Sequence, residues 1–165
     1  MDNFSTVAAL DVLAFGAHPD DVELSAGGTL AKLKAQGKSC GVVDLTRGEL
    51  GTRGSAALRD EEAAKAAAIL GLVHRENLGL ADGFFQEDEA SIRAVVAAIR
   101  RHRPTVVLAN ALVDRHPDHG RAAELVARAS FLSGLVKVDT GQAPWRPRAV
   151  YHYIQDYDRT ADVVM

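Results

Sequence analysis

A single cysteine, Cys40, among 165 residues excludes an intramolecular disulfide framework. It lies in the apolar run Cys40-Gly41-Val42-Val43 and reads as a buried strand thiol rather than a nucleophile. Aromatic residues make up only 5% of the chain, too few for a platform on which bases stack. Basic residues are not in excess: 19 Lys and Arg against 22 Asp and Glu give a net charge of −3, so no nucleic acid is expected as a partner. No apolar run reaches membrane-spanning length, and residues 1–10 carry Asp2 and no cationic stretch. The sequence therefore reads as cytoplasmic, with no membrane contact. Internal repeats and low-complexity tracts are also lacking. What remains is an ordinary globular composition, 47% hydrophobic and 25% charged, sized for a single domain over residues 1–165.

Along the chain, apolar runs alternate with stretches of helical periodicity. Strands are expected at Leu10–Gly16, Gly41–Leu45, Glu76–Leu80 (the weakest), Thr105–Ala109 and Ala149–Ile154. Between them the pattern predicts a helix with Leu24, Leu30 and Leu33 that stops near Gly37, and an alanine-dense helix over Ala57–Leu70 stopped by Gly71. Two more follow: Glu89–Arg103, closed by Pro104, and His119–Leu132. This order implies an α/β fold, a doubly wound and mainly parallel sheet of order 3-2-1-4-5 with helices on both faces. In that order the first and fourth strands are neighbours at the switch point, and their C-terminal ends flank a crevice.

Those two strand ends carry the chemistry. His18-Pro19-Asp20-Asp21 follows the first, and His116-Pro117-Asp118-His119 follows the fourth, about a hundred residues later. Either motif alone is a reasonable turn with an aspartate helix cap. Together they place three histidines and three aspartates in one crevice, a set suited to a divalent metal with an open coordination position and a nearby base. Adjacent aspartates cannot point the same way, so Asp20 and Asp21 have different roles, and spacing does not say which is the ligand. Asp118 can fix the tautomer of an imidazole, as a carboxylate behind a metal ligand does. Zinc and iron(II) both tolerate such a set. After the second strand, the loop holding Arg47, Glu49 and Arg53 lies on the same sheet edge, and Arg47 is a candidate for substrate contact.

The segments Ala17-His18-Pro19-Asp20-Asp21-Val22-Glu23, Gly27-Gly28-Thr29, Thr46-Arg47-Gly48-Glu49, Arg59 with Glu62-Ala63-Ala64, and His116-Pro117-Asp118-His119 resemble the LmbE/PIG-L family. Those proteins are zinc-dependent N-acetylglucosamine deacetylases of Rossmann-like fold. The resemblance implies His18, Asp21 and His119 as zinc ligands and Asp20 as general base. It implies that His116 stabilises the oxyanion or protonates the leaving amine, oriented by Asp118, and that Arg59 grips substrate hydroxyls or an acidic aglycone. The segments Leu58–Ala64 and Asp114–Gly120 look closest to bacillithiol-pathway enzymes acting on N-acetylglucosaminyl malate. Family members act on small amino-sugar substrates, form homo-oligomers and continue well past the fifth strand. This chain is expected to lack that last part, with Asp162–Met165 beginning a further strand.

Two other deacetylase substrates, a mycothiol precursor and a chitin disaccharide, fit the same motifs, as does a non-catalytic metal-binding remnant. A nucleotide-binding module fits the fold, but Phe15-Gly16-Ala17-His18-Pro19 lacks the G-x-G-x-x-G turn. Gly27-Gly28 predicts a close backbone approach, and Asp82-Gly83 reads first as a turn and second as a pocket edge. His74 and His102 read as surface residues, His152 as sheet packing, and Trp145 as a loop anchor.

Overall fold

The computed structural model describes residues 8–165; residues 1–7, part of the segment read above as carrying no cationic stretch, lie outside it. Strand β1 (Val12–Gly16) is buried along its whole length, as a strand covered on both faces must be. Its alternate residues divide between two cores. Leu13 and Phe15 pack with Val43, Val95, Ile99 and Leu125, while Val12 and Ala14 pack with Val22, Leu30, Val42 and Tyr153.

Around β1 the elements run α1 (Asp21–Ala35), β2 (Cys40–Thr46), α2 (Ala56–Leu70), β3 (His74–Leu80), α3 (Glu89–His102), β4 (Val106–Ala109), α4 (Pro117–Leu132) and β5 (Ala149–His152). The sheet order is β3-β2-β1-β4-β5, and every pairing is parallel, as expected. The four helices and their stops also match the sequence pattern. Gly71 ends α2 in a left-handed conformation, and α3 starts where the Asp88 side chain accepts from Ser91 N. Trp145 anchors its loop by donating to the Pro104 carbonyl, and Cys40 is buried.

Several local expectations are overturned. His102 is buried rather than exposed, because Glu76 reaches across from β3 to meet its Nε2 at 2.9 Å. His74 packs its ring 5.0 Å from that of His102. Leu24 is 79% exposed, since it faces a groove between α1 and α2 instead of the core. A side chain at Gly27 or Gly28 would meet nothing within 4 Å, so neither glycine marks a close approach. Residues 162–165 form no strand, since no strand of the sheet pairs with them. Among the described residues, no helix is long and apolar enough to cross a membrane.

Arg75 on β3 ties four elements together beneath the α1/α2 groove. It donates to both oxygens of Asp44 at 2.8 and 3.0 Å, to Glu23 on α1, and to the Ala63 carbonyl on α2. Burial pushes the Asp44 carboxyl up to about 6, against the pull of Arg75. A carboxyl raised in the fold stabilises it below the ordinary aspartate range, and that contribution disappears as pH rises through about 6. Replacing Arg75 by Met leaves Asp44 buried without its counter-ion. Thermal or denaturant melts should show a loss of about 3–5 kcal/mol at pH 8. The loss should shrink at pH 5, where Asp44 takes up a proton.

Candidate active site

The turn after β1 is pinned from both sides. Thr46 at the end of β2 donates to the Ala17 carbonyl through both its amide and its hydroxyl, at 3.1 and 2.8 Å. Asn110, just beyond β4, accepts from Ala17 N at 3.0 Å. A side chain at Gly16 would be tight, because a Cβ would come 3.0 Å from the His18 carbonyl oxygen and 3.2 Å from Asp21 Cβ. The pairing of β1 with β4 then brings the two His-Pro-Asp motifs face to face, with the His18 ring 4.8 Å from that of His116 and 5.7 Å from that of His119.

Asp21, buried at the start of α1, is the centre of the cluster. Its Oδ1 lies 3.1 Å from His119 Nε2 and accepts from Gln155 Nε2 at 2.7 Å. Its Oδ2 accepts from His18 N and Asn110 Nδ2 and lies 3.6 Å from His18 Nδ1. The far nitrogen of each histidine rests on another carboxylate. His18 Nε2 meets Asp82 at 3.0 Å and Asp118 at 3.2 Å, and His119 Nδ1 meets Asp114 at 2.9 Å.

This arrangement fits a divalent metal. Zinc bonds of about 2.0–2.1 Å in a tetrahedron put neighbouring ligand atoms about 3.3 Å apart. Asp21 Oδ1 lies 3.1 Å from His119 Nε2 and Oδ2 lies 3.6 Å from His18 Nδ1, so each carboxylate oxygen faces one imidazole near that spacing. A carboxylate behind each imidazole fixes its tautomer and raises its basicity, as the outer partners of metal-binding histidines do. The donor atoms of His18, His116 and His119 also lie within 4.8 Å of one another, and so do those of His18, Asp82 and Asp118. The first set adds His116 to the two imidazoles that face Asp21. The second shares its carboxylates with His18 Nε2, the side turned away from Asp21.

Asp20 is set apart from this network. It precedes α1, yet its side chain makes no capping hydrogen bond, so the reading of this aspartate as an ordinary helix cap does not hold. Its φ of 135° is in a region that non-glycine residues rarely occupy, a backbone strain of the kind found at functional sites. Partial burial and the adjacent Asp21 carboxylate raise its pKa, against the pull of Arg59 and His18.

One expectation about the second motif is corrected. The Asp118 carboxylate does not orient His116. It is buried and bridges His18 Nε2, Gly83 N and Arg121, partners that take up both of its oxygens. What holds His116 is the backbone N–H of Asp118, which donates to its Nδ1 at 3.3 Å. Burial and the neighbouring His18 and His119 lower the His116 pKa, which favours the neutral ring with its proton on Nε2.

Arg59 stands at the rim, 3.5 Å from the Pro19 carbonyl, and a Cβ at Gly48 would collide with its guanidinium. Arg47, expected at the substrate, instead pairs on the surface with Asp60 of α2, which faces it across the loop. Sequence reasoning missed Asn110, Asp114 and Gln155, and read Asp82 first as a turn and only second as a pocket edge, whereas it meets His18 Nε2. Polar residues directly after a predicted buried strand, such as Asn110, were the available signal.

A family model for PIG-L, GlcNAc-PI de-N-acetylase, matches residues 13–130. The chain belongs to the PIG-L family. Among its relatives, the diacetylchitobiose deacetylase of Thermococcus kodakarensis is 32% identical, with 75% of this chain and 50% of the relative covered. The 1D-myo-inositol 2-acetamido-2-deoxy-alpha-D-glucopyranoside deacetylase of Thermobispora bispora is 31% identical, with 87% and 59% covered. The chain thus spans between half and three fifths of the length of these PIG-L relatives. Among solved structures, the conserved protein TT1542 from Thermus thermophilus superposes with a TM-score of 0.87 at 43% identity, covering 92% of this chain and 69% of that one. The 4-carboxy-2-hydroxymuconate hydratase GalB of Pseudomonas putida KT2440 superposes with a TM-score of 0.75 at 28% identity, covering 86% and 64%. The fold of this PIG-L chain is therefore shared with a protein named for a different reaction.

The metal-free cluster makes its own prediction. Burial disfavours a charged His18, but Asp21, Asp82 and Asp118 together outweigh it and raise its pKa to about 9. An imidazole raised in the fold stabilises it below the ordinary histidine range, and the contribution is lost as pH rises through about 9. Chelator-treated protein should melt at falling temperature between pH 7 and 9.5, and the His18→Gln variant should show a flatter profile.

Proposed function

We propose that this chain hydrolyses the acetamide of an N-acetylglucosamine conjugate, releasing acetate and the free amine in a zinc-assisted reaction. The observation that carries this reading is the pair of imidazoles, each with one nitrogen toward Asp21 and the other on a carboxylate. His18 Nδ1, Asp21 and His119 Nε2 would hold the metal, with iron(II) the alternative for the same donors. When bound, the ion supplies a Lewis acid for the carbonyl and lowers the pKa of the attacking water.

The remaining steps belong to the protein's own side chains. Asp20 accepts the proton of the water as its oxygen bonds to the carbonyl carbon, a role suited to its raised pKa and its lack of a capping bond. His116, neutral and with Nε2–H free, donates to the carbonyl oxygen as negative charge develops there. Asp20 then returns the proton to the amide nitrogen. The C–N bond breaks, and acetate and the amine leave. Arg59 anchors hydroxyls at the rim.

The conjugate is one of three kinds. The sequence resemblance favours a malate glycoside, while the relatives are named for an inositol glycoside and a chitin disaccharide. Acetate release should be measured on all three, with the metal content of the protein determined alongside. Asp20→Asn should retain metal and lose at least about a hundredfold in kcat, as expected for removal of a general base. Asp114→Asn should weaken metal affinity about ten- to hundredfold. Bound metal with no acetate released from any conjugate, or full activity in Asp20→Asn, would overturn this reading.

A further inference from the structure

One short segment holds both carboxylates that flank His119. Asp21 Oδ1 faces the Nε2 of that imidazole at 3.1 Å, and Asp114 Oδ1 faces its Nδ1 at 2.9 Å. Gln155 donates from Nε2 to the same oxygen of Asp21 at 2.7 Å. The backbone N–H of the next residue, Asp156, donates to Asp114 Oδ2 at 3.1 Å. Two consecutive residues thus serve the two sides of one imidazole. Their segment is itself tied down. Tyr153 N donates to the Ala109 carbonyl at the end of β4, and the buried Tyr153 hydroxyl donates to the Phe15 carbonyl on β1, both at 2.9 Å.

An ionised carboxylate has about four lone-pair positions and only accepts. In Asp21, Oδ2 takes His18 N at 2.9 Å and Asn110 Nδ2 at 3.1 Å, which fill it. Oδ1 takes Gln155 on one side and keeps the other toward His119. That pairing also fixes the Gln155 amide. Its nitrogen must face Asp21, so its oxygen turns to Asn110 Nδ2 at 3.3 Å and accepts the second N–H there. Gln155 therefore sets the rotation of the Asp21 carboxylate while turning its own acceptor atom elsewhere.

We propose that Gln155 is a positioning residue of the metal centre, acting by holding Asp21 in register with His119. The strap 153–156 then makes β5 a third contributor to a centre whose two motifs follow β1 and β4. This role rests on the metal reading above, and it is tested by metal binding and spectroscopy rather than by turnover.

Zinc affinity is measured in competition with a chromophoric chelator, visible absorption on the cobalt(II)-loaded protein, and melting on the metal-free protein. Gln155→Met keeps the length of the side chain and removes its donor. Gln155→Asn keeps the amide but is one methylene too short for the contact to Asp21. Both should bind zinc about ten- to hundredfold more weakly, the cost of losing a partner behind a metal ligand. Both should also shift the cobalt bands, which report ligand geometry. A residue that only stabilised the fold would lower the melting temperature and leave the spectrum of the folded cobalt protein unchanged. Asp156→Ala keeps its backbone N–H and loses only an ion pair to the exposed Arg115, so it should retain the cobalt spectrum. Unaltered zinc affinity or an unaltered cobalt spectrum in both Gln155 variants would overturn the role of Gln155 while leaving metal binding intact. An equal spectral change in Asp156→Ala would overturn it too. Neither zinc nor cobalt bound by the unaltered protein would remove the metal reading and this role together.

Discussion

The carboxylate of Asp21 is the point on which the rest of the site depends. It gathers donors from four parts of the chain: the turn after β1, the segment after β4, the segment after β5, and helix α4. A buried carboxylate is costly unless such partners surround it, and here they hold its pKa well below the usual aspartate range despite the burial. The penalty for losing any one partner makes the spatial relation of β1, β4 and α4 hard to vary. Rigidity of the fold and geometry of the site are one constraint.

Asn110 shows how that constraint is transmitted. Its side chain accepts from the backbone of the β1 turn and donates to Asp21, bridging two strand ends across the switch point. Thr46 holds the same turn from the other side, donating from the end of β2 to the Ala17 carbonyl. The turn that carries His18 and Asp20 is thus clamped between both neighbouring strands. That clamp explains how the unfavourable backbone of Asp20 persists: the residues around it are fixed, and the strain has nowhere to relax.

Much of the fold was legible because it rests on local periodicity. Every residue of β1 is apolar or glycine, the stripe Ile92, Val95, Val96 and Ile99 is buried in α3, and the turn residues stand where helices stop. The neighbouring motifs were legible for the same reason, since strand order follows from handed crossovers. What escaped depends on partners far apart in sequence. His102 looks polar until Glu76 is placed opposite it, and Arg47 looks free until α2 delivers Asp60. Asp118 lies two residues from His116, yet its carboxylate turns to His18, one hundred positions away. Short-range spacing cannot show which of several nearby imidazoles a buried carboxylate will choose.

The strand order has a consequence for how the molecule comes into being on the ribosome. The strands β1, β2 and β3 emerge first and can pair in sequence, forming one half of the sheet. The other edge of β1 stays open until β4 has been synthesised, and His119 follows still later. Through that interval Asp21 and His18 are exposed to water at the end of an incomplete sheet. Helix α4 brings His119 to the cluster and Gln155 joins it later still, so a nascent chain lacking α4 has the first motif without the site.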